Sequence, residues 1–369
     1  MQMISIKSSI RNYNTVIGDV KPYLSDLRGR SGSVCLVVDH NVWRIYKDVF
    51  HSFDRKEVII LPVSEERKNL ASVQMLYDKL MRLSAKRNML LVSAGGGITQ
   101  DITGFLASTL YRGLKWVFIP TTLLAQADSC IGSKTSLNYK EYKNIIGTFY
   151  PPVEILVDTR FIDTQKPLDF YSGMGEVVKL HIIGGRKCFD YMLKSLLKIV
   201  RDKGRILSEA VRNCLLIKKG YIENDEFDSG RRNLLNYGHC FGHAIEKTSA
   251  FGIPHGLAVT IGMALADIVA RNRTILRGEN ERLIFNELLL PLIVRMPDGS
   301  ALEPSSLMLA MKKDKKRTGK DLPLVMLKDG LELVKVDDLK ESELKAAVKD
   351  FRRRICGAAG CRSREIRKT

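Results

Sequence analysis

Apolar residues come in short β-branched runs in the first part of the chain and at helical spacing in the second. Residues 34–38 (VCLVV), 58–61 (VIIL), 89–93 (MLLVS) and 116–119 (WVFI) are bounded by turn residues and predict strands. Between them, 42–50 reads as a helix. Residues 65–83 read as an amphipathic helix, with Leu70, Val73, Leu76, Leu80 and Leu83 on one face. Strands alternating with helices predict a parallel sheet with crossover helices. After Asp158 the strand-like runs stop. Helical spacing takes over at 172–183, 188–200, 207–221, 234–249, 257–270, 279–290 and 305–313. The expected division is an α/β domain over 1–165, an all-α domain over 166–350, and a basic tail over 351–369. That tail loses apolar periodicity after Ile355 and reads as flexible.

Composition narrows the class. A chain of 369 residues suits two domains. With 45% hydrophobic and 27% charged residues it is an ordinary globular protein. Its longest apolar runs, 89–94 and 258–266, are too short or interrupted to span a bilayer, so no membrane is expected. The opening MQMISIKSSIRN has no apolar core of signal-peptide length. Seven cysteines, an odd number without repeated spacing, point to a reducing cytoplasmic setting rather than a disulfide framework. The net charge of +18 invites a nucleic-acid reading, but nine Lys/Arg against two Asp/Glu fall within 345–369 alone. No RNA- or DNA-binding motif accompanies them. Charge bears on association rather than activity, and it equally suits an anionic small substrate, so nucleic acid is not the expected partner.

Candidate chemistry concentrates in 236–256, NYGHCFGHAIEKTSAFGIPHG, which holds half of the six histidines. His239 and His243 are four apart and Glu246 follows three later, so helical spacing puts them on one face. His255 comes after Gly252 and Pro254, beyond the end of that helix. Imidazoles closing around one ion suit zinc or a similar divalent metal. The HExxH pattern is absent because residue 240 is Cys. On spacing alone, a metal site and three ordinary histidines stand level. The triple glycine 95–97 follows a strand and precedes a helix, which would let a phosphate approach the backbone. It is not GxGxxG, and a tight turn explains it as well. Small and hydroxylated residues around single charges from 120 to 151 suit a polar cleft.

These residues, taken in order, carry a resemblance. GGGITQDITGF, RG, PTTLLAQADSCIGSKT, KN and GTFYPP, followed by SGMGEVVK (172–179), the segment 218–246, IPHGLAVTIGM (253–263) and DKK (314–316), resemble the sugar-phosphate cyclase superfamily, most closely its 3-dehydroquinate synthase branch. The resemblance implies a Rossmann-like nucleotide-binding half and a helical half. It implies one zinc or cobalt ion on Glu176, His239 and His255, with His243 not a ligand. It implies NAD held by Asp39, Asn41, Glu65, Lys68, Gly95, Gly96, Gly97, Asp101, Thr121, Thr122 and Thr164. The catalytic set would be His243, Lys134, Asp128, Lys179 and Asn236. Substrate would be bound by Arg112, Lys143, Asn144, Lys218, Arg232, Lys315 and Lys316, with Arg112 reaching across a homodimer interface. The implied reaction takes 3-deoxy-arabino-heptulosonate 7-phosphate, a phosphorylated sugar acid, to 3-dehydroquinate and phosphate, a step of the shikimate pathway. It proceeds by transient oxidation with NAD, phosphate β-elimination, re-reduction and aldol closure, with His243 handling a proton near C5. A substrate bearing both carboxylate and phosphate needs several cations.

Several positions depart from the pattern. Gly175 stands where Ala is usual, Gln100 where Gly is common, and Leu257 where Glu is common, while Cys130 and Ser133 replace a Ser and a Gly. None removes a ligand or a cation, but they leave open a paralogue acting on another phosphorylated sugar. A metal-dependent alcohol dehydrogenase of the glycerol-dehydrogenase type is the second reading. It needs no anion clamp, so Lys134, Lys179, Lys218 and Arg232 weigh against it.

Overall fold

A computed structural model of the chain describes residues 2–30, 32–312 and 322–365. The chain forms two compact units, Met1–Lys166 with Arg201–Arg232, and Pro167–Val200 with Asn233–Thr369.

The strands of the first unit are β1 (Gln2–Ile6), β2 (Tyr13–Ile17), β3 (Val34–Asp39), β4 (Val58–Leu61), β5 (Leu90–Gly95), β6 (Lys115–Pro120), β7 (Lys134–Tyr139), β8 (Tyr142–Phe149) and β9 (Glu154–Val157). Seven of them form one sheet in the order β1-β2-β9-β6-β5-β3-β4, and β7 with β8 makes a separate hairpin. Only the β1–β2 pair is antiparallel in the large sheet. β3, β5 and β6 are buried along nearly their whole length. A strand covered on both faces needs apolar side chains at every position, which is why these were legible as runs. β1 buries only Ile4 and Ile6, so it does not stand out in the sequence.

The helices α1 (Val20–Arg30), α2 (His40–Tyr46), α3 (Leu70–Arg82) and α4 (Gly97–Thr109) connect these strands. α3 starts later than its apolar pattern predicts. Asn69 caps it, accepting from the Ser72 amide at 3.0 Å, and Glu65–Arg67 forms a separate 3-10 turn. Adjacent parallel strands β3, β5 and β6 bring Asp39, Gly95–Gly97 and Thr121–Thr122 to one edge, their carboxyl ends. That edge is where open α/β sheets bind ligands.

Next come α5 (Pro167–Ile183), α6 (Arg186–Arg201) and α7 (Gly204–Ile222). α7 groups with the first unit, not with the helical one as its period implied. Its buried face is mostly apolar (Leu207, Ala210, Val211, Leu215 and Ile222), with Lys218 bonded to Asp128 and Lys203, just before the helix, donating to the Ile162 carbonyl at 3.0 Å. Hydrophobic spacing shows that a face is buried, not which neighbour covers it.

The second unit holds α5 and most of α6, together with α8 (His239–Thr248), α9 (His255–Asn272), α10 (Gly278–Leu283), α11 (Pro304–Lys312) and α12 (Glu341–Glu365). A hairpin, β10 (Leu324–Lys328) with β11 (Glu332–Val336), interrupts the helices that were expected throughout. α9 is buried from Gly256 to Ala270 and is the core of this unit. It crosses α5 at Gly175 and Gly256. A Cβ on Gly175 would overlap the Gly256 carbonyl oxygen, and one on Gly256 would overlap that of Ser172. The pattern over 234–249 predicts one helix, but Gly238 at φ +78° breaks it, so that α8 begins at His239. The tail expected to be loose from 351 instead continues α12 to Glu365. Phe351 is fully buried, and Arg354 grips Glu281 at 2.6 and 3.0 Å. One buried aromatic and the ion pairs of Arg352 with Glu303 and of Arg354 with Glu281 hold this turn, contacts that leave no apolar period. Among the described residues no helix is long and apolar enough to cross a membrane.

Candidate active site

In the second unit α5, α8 and α9 bring three side chains together. Glu176 lies in the middle of α5, and His239 and His255 are the first residues of α8 and α9. One nitrogen or oxygen from each lies within 4.8 Å of the others. His239 Nε2 is 3.7 Å and His255 Nε2 3.4 Å from Glu176 Oε1. Donors about 2 Å from a shared tetrahedral ion stand about 3.3 Å apart, so the spacing fits a cation. The Glu176 carboxylate is fully buried, and neither oxygen receives a hydrogen bond of ordinary geometry. The Lys179 ammonium lies against Oε2, so Oε1, which faces the two imidazoles, is the oxygen open to a further cation. One carboxylate and two imidazoles suit zinc or cobalt.

The local charges agree. Burial alone would push the Glu176 carboxyl up, but the Lys179 ammonium and the two imidazoles hold it well below the usual range. Lys179 Nζ takes the other oxygen, Oε2, at 2.5 Å. Burial and the Lys179 charge hold the His239 imidazole well below its ordinary value, neutral and free to donate a lone pair. Burial also lowers His255, but its contacts with the Glu176 and Glu246 carboxylates raise it to about 10. His243 joins the cluster through its ring, 5.5 Å from that of His239 and 5.8 Å from that of His255. Asn236 is half-buried, three residues before His239. Cys240, a rival ligand on paper, lies outside the cluster.

In the first unit the expected substrate cations Lys134, Lys218 and Arg232 are each matched to an acceptor. Lys134, at the start of β7, lies 2.5 Å from Asp228. Lys218 is buried, 2.8 Å from Asp128 Oδ1 and 2.6 Å from the Asp128 carbonyl. Arg232 is buried and donates to the carbonyls of Gly132 and Glu226. Burial lowers the Lys134 ammonium, Asp228 opposes this, and the charges of Arg232 and Lys218 push the same way as burial. Three cations are therefore close enough to feel one another, which favours an anion among them. Asp228 and Glu226 were not singled out from the sequence. Glu226 is a buried carboxylate accepting from the Ser8, Ser9 and Ser133 hydroxyls and the Ser9 amide, and it ties the N-terminal segment to the turn before Lys134. A single Glu among surface charges gives no signal of this.

A second polar network in the same unit joins residues expected to serve cofactor and substrate separately. Lys68 Nζ lies 2.5 Å from both Asp101 Oδ2 and Asn144 Oδ1, and Asp101 accepts from the Ser136 amide and hydroxyl. Glu65 accepts from Asn138 at 2.9 Å and lies 3.6 Å from Lys143. Asp39 caps α2, accepting from the Asn41 amide at 2.7 Å. Thr164 bonds the Tyr46 hydroxyl at 2.7 Å. Gly96 and Gly97 open α4 without a capping side chain. A Cβ on Gly97 would meet only Ser129 Oγ, at 3.7 Å, and an uncapped helix start of this kind suits a phosphate. Arg112 is exposed in the turn that follows α4. Lys315 and Lys316 lie outside the described residues.

The fold is that of the sugar-phosphate cyclases. It matches a 2-deoxy-scyllo-inosose synthase, solved with carbaglucose-6-phosphate, NAD+ and Co2+, at a TM-score of 0.79 and 23% identity, covering 95% of this chain and 100% of that one. It matches the 2-epi-5-epi-valiolone synthase of Streptomyces hygroscopicus, solved with NAD+ and Zn2+, at 0.82 and 22%, covering 95% and 99%. Within that class the chain belongs to the 3-dehydroquinate synthase family. A profile described as 3-dehydroquinate synthase N-terminal matches residues 58–172, and one described as 3-dehydroquinate synthase C-terminal matches 173–317. The 3-dehydroquinate synthase of Pelagibacter ubique is 37% identical over 338 residues, covering 88% of this chain and 92% of the relative.

Proposed function

We propose that this protein converts 3-deoxy-arabino-heptulosonate 7-phosphate to 3-dehydroquinate and phosphate, using NAD and one zinc or cobalt ion. The observation that carries the reading is the buried Glu176 carboxylate facing the Nε2 atoms of His239 and His255, in a chain of the 3-dehydroquinate synthase family. Bound NAD supplies reversible hydride transfer, and the bound ion supplies polarisation of substrate hydroxyls.

The chain's own residues do the rest. Lys134, Lys218 and Arg232 hold the substrate's anionic groups, with Lys134 exchanging Asp228 for the ligand. Arg112, Lys143, Asn144 and Lys315 or Lys316 complete the clamp. The amides of Gly96 and Gly97 take the cofactor's pyrophosphate, and Asp39, Asn41, Glu65, Lys68, Asp101, Thr121, Thr122 and Thr164 line its path. Lys179 keeps Glu176 ionised. His243 passes the proton at the oxidised hydroxyl, with Asp128 and Asn236 orienting the substrate. The working form is a cytoplasmic homodimer, which sedimentation at equilibrium checks.

The test is an assay of the purified protein with NAD and Zn2+ or Co2+. Phosphate release from the heptulosonate phosphate without net NADH is the expected result. Steady NADH from a simple polyol, with no phosphate released, would instead support the alcohol-dehydrogenase reading. Phosphate release only from sugar phosphates lacking a carboxylate would support a paralogous cyclase.

A further inference from the structure

We infer that Glu246 is a positioning residue that fixes the orientation and tautomer of His255 for cation binding, an inference that rests on the metal site proposed above. Glu246 lies on α8, three residues after His243, and its Oε2 is 3.1 Å from His255 Nδ1. The other nitrogen of the same ring, Nε2, is 3.4 Å from Glu176 Oε1. The imidazole is thus held between two carboxylates, one on each nitrogen. An ionised carboxylate only accepts hydrogen bonds, so without an ion both nitrogens carry a proton; an ion between Nε2 and Glu176 would replace the Nε2 proton, while the Nδ1 proton stays on Glu246 and fixes the ring.

His239 reaches the same state by another route. Its Nδ1 is 3.2 Å from the Tyr237 carbonyl oxygen, which also only accepts. Both imidazoles therefore present Nε2, one set by the main chain and one by a side chain. Glu246, His243 and His255 form a second group whose ligand atoms lie within 4.8 Å. With its Nδ1 proton directed at Glu246, His255 has no lone pair to offer on that side. The geometry therefore provides for one ion, with Glu246 as its outer support. Carboxylates in this relation to a ligating histidine typically contribute a factor of about 10–100 in metal affinity.

The experiment measures Zn2+ affinity of the full chain by competition with a chelator, for wild type, Glu246→Gln, Glu246→Ala and His239→Ala. The thermal midpoint of each is read in excess chelator. Weakening of about 10–100-fold in Glu246→Ala is expected, with a smaller loss in Glu246→Gln, which keeps an acceptor. The chelated midpoints should stay together, because the role is toward the ion and not the fold. If the Ala variant fails to fold, the near-isosteric Gln variant decides, and wild-type affinity there overturns the inference. Tight binding in wild type, lost in His239→Ala but unchanged in Glu246→Ala, sinks the role of Glu246 alone. Equal binding by wild type and His239→Ala removes the metal site itself.

Discussion

Lys179 Nζ lies 2.5 Å from Glu176 Oε2, one turn further along α5, and neither side chain is more than 2% exposed. A cation is thereby committed to one carboxylate oxygen while the other faces two imidazoles. Lys179→Met leaves the buried carboxylate with the His255 imidazolium as its remaining cation, and breaking such a pair costs about 3 kcal/mol in protein stripped of metal. Saturating Zn2+ should recover much of that loss, because the ion replaces the missing charge. Urea denaturation with and without Zn2+ reads both values, and an equal loss in the two conditions would contradict the site.

Glu226 should anchor the N-terminal segment. Glu226→Ala removes the acceptor for four donors from Ser8, Ser9 and Ser133, with an expected cost of about 2–3 kcal/mol. Amide exchange at Ser9 should accelerate, and unchanged exchange there would show that the segment is held by other contacts. Ser133→Gly should stay within about 1 kcal/mol of wild type, since the relief of its φ of +64° offsets the lost hydroxyl bond.

The C-terminal helix should matter to the fold. Arg354→Ala strips the bidentate partner from Glu281, which is fully buried, at an expected cost of about 3 kcal/mol. Deleting residues from 351 onward should cost more, since Phe351 goes as well. A deletion that melts like wild type would show that this turn of α12 is dispensable.

His181 supplies a pH dependence. Burial pushes its imidazole from 6.5 down to about 4, against an opposing bond to the Val177 carbonyl. Between those values the unfolded chain takes up a proton that the folded chain refuses. Stability therefore falls as pH drops through that window, by about 3 kcal/mol, and this contribution is flat above it. His181→Gln should lose less stability than wild type between pH 7 and pH 4.5. Parallel decline in both proteins would place the acid sensitivity elsewhere.

What could be read in the sequence follows from what each signal measures. β3, β5 and β6 were legible because burial on both faces demands unbroken apolar runs. The β7–β8 hairpin was not. Its polar, half-exposed residues read as loop, and pairing such as Thr135 with Thr148 is a contact between distant positions. Helical spacing alone placed His243 beside His239 as the natural ligand pair. The structure puts His239 and His255 at the starts of two separate helices, with Glu176 on a third, a grouping that no local period encodes. Glu246 fell on the right face for the same local reason, but which nitrogen of which histidine it would meet depends on where α9 begins.

The contact between Gly175 and Gly256 sits next to two of the three proposed ligands, since Glu176 and His255 are their immediate neighbours. Ligand separation is thereby dictated by how closely two backbones abut rather than by side-chain reach. An alanine at position 175 would force these two helices to a wider gap and so displace the acidic ligand, unless α9 moved with α5; the two helices therefore act as a matched pair.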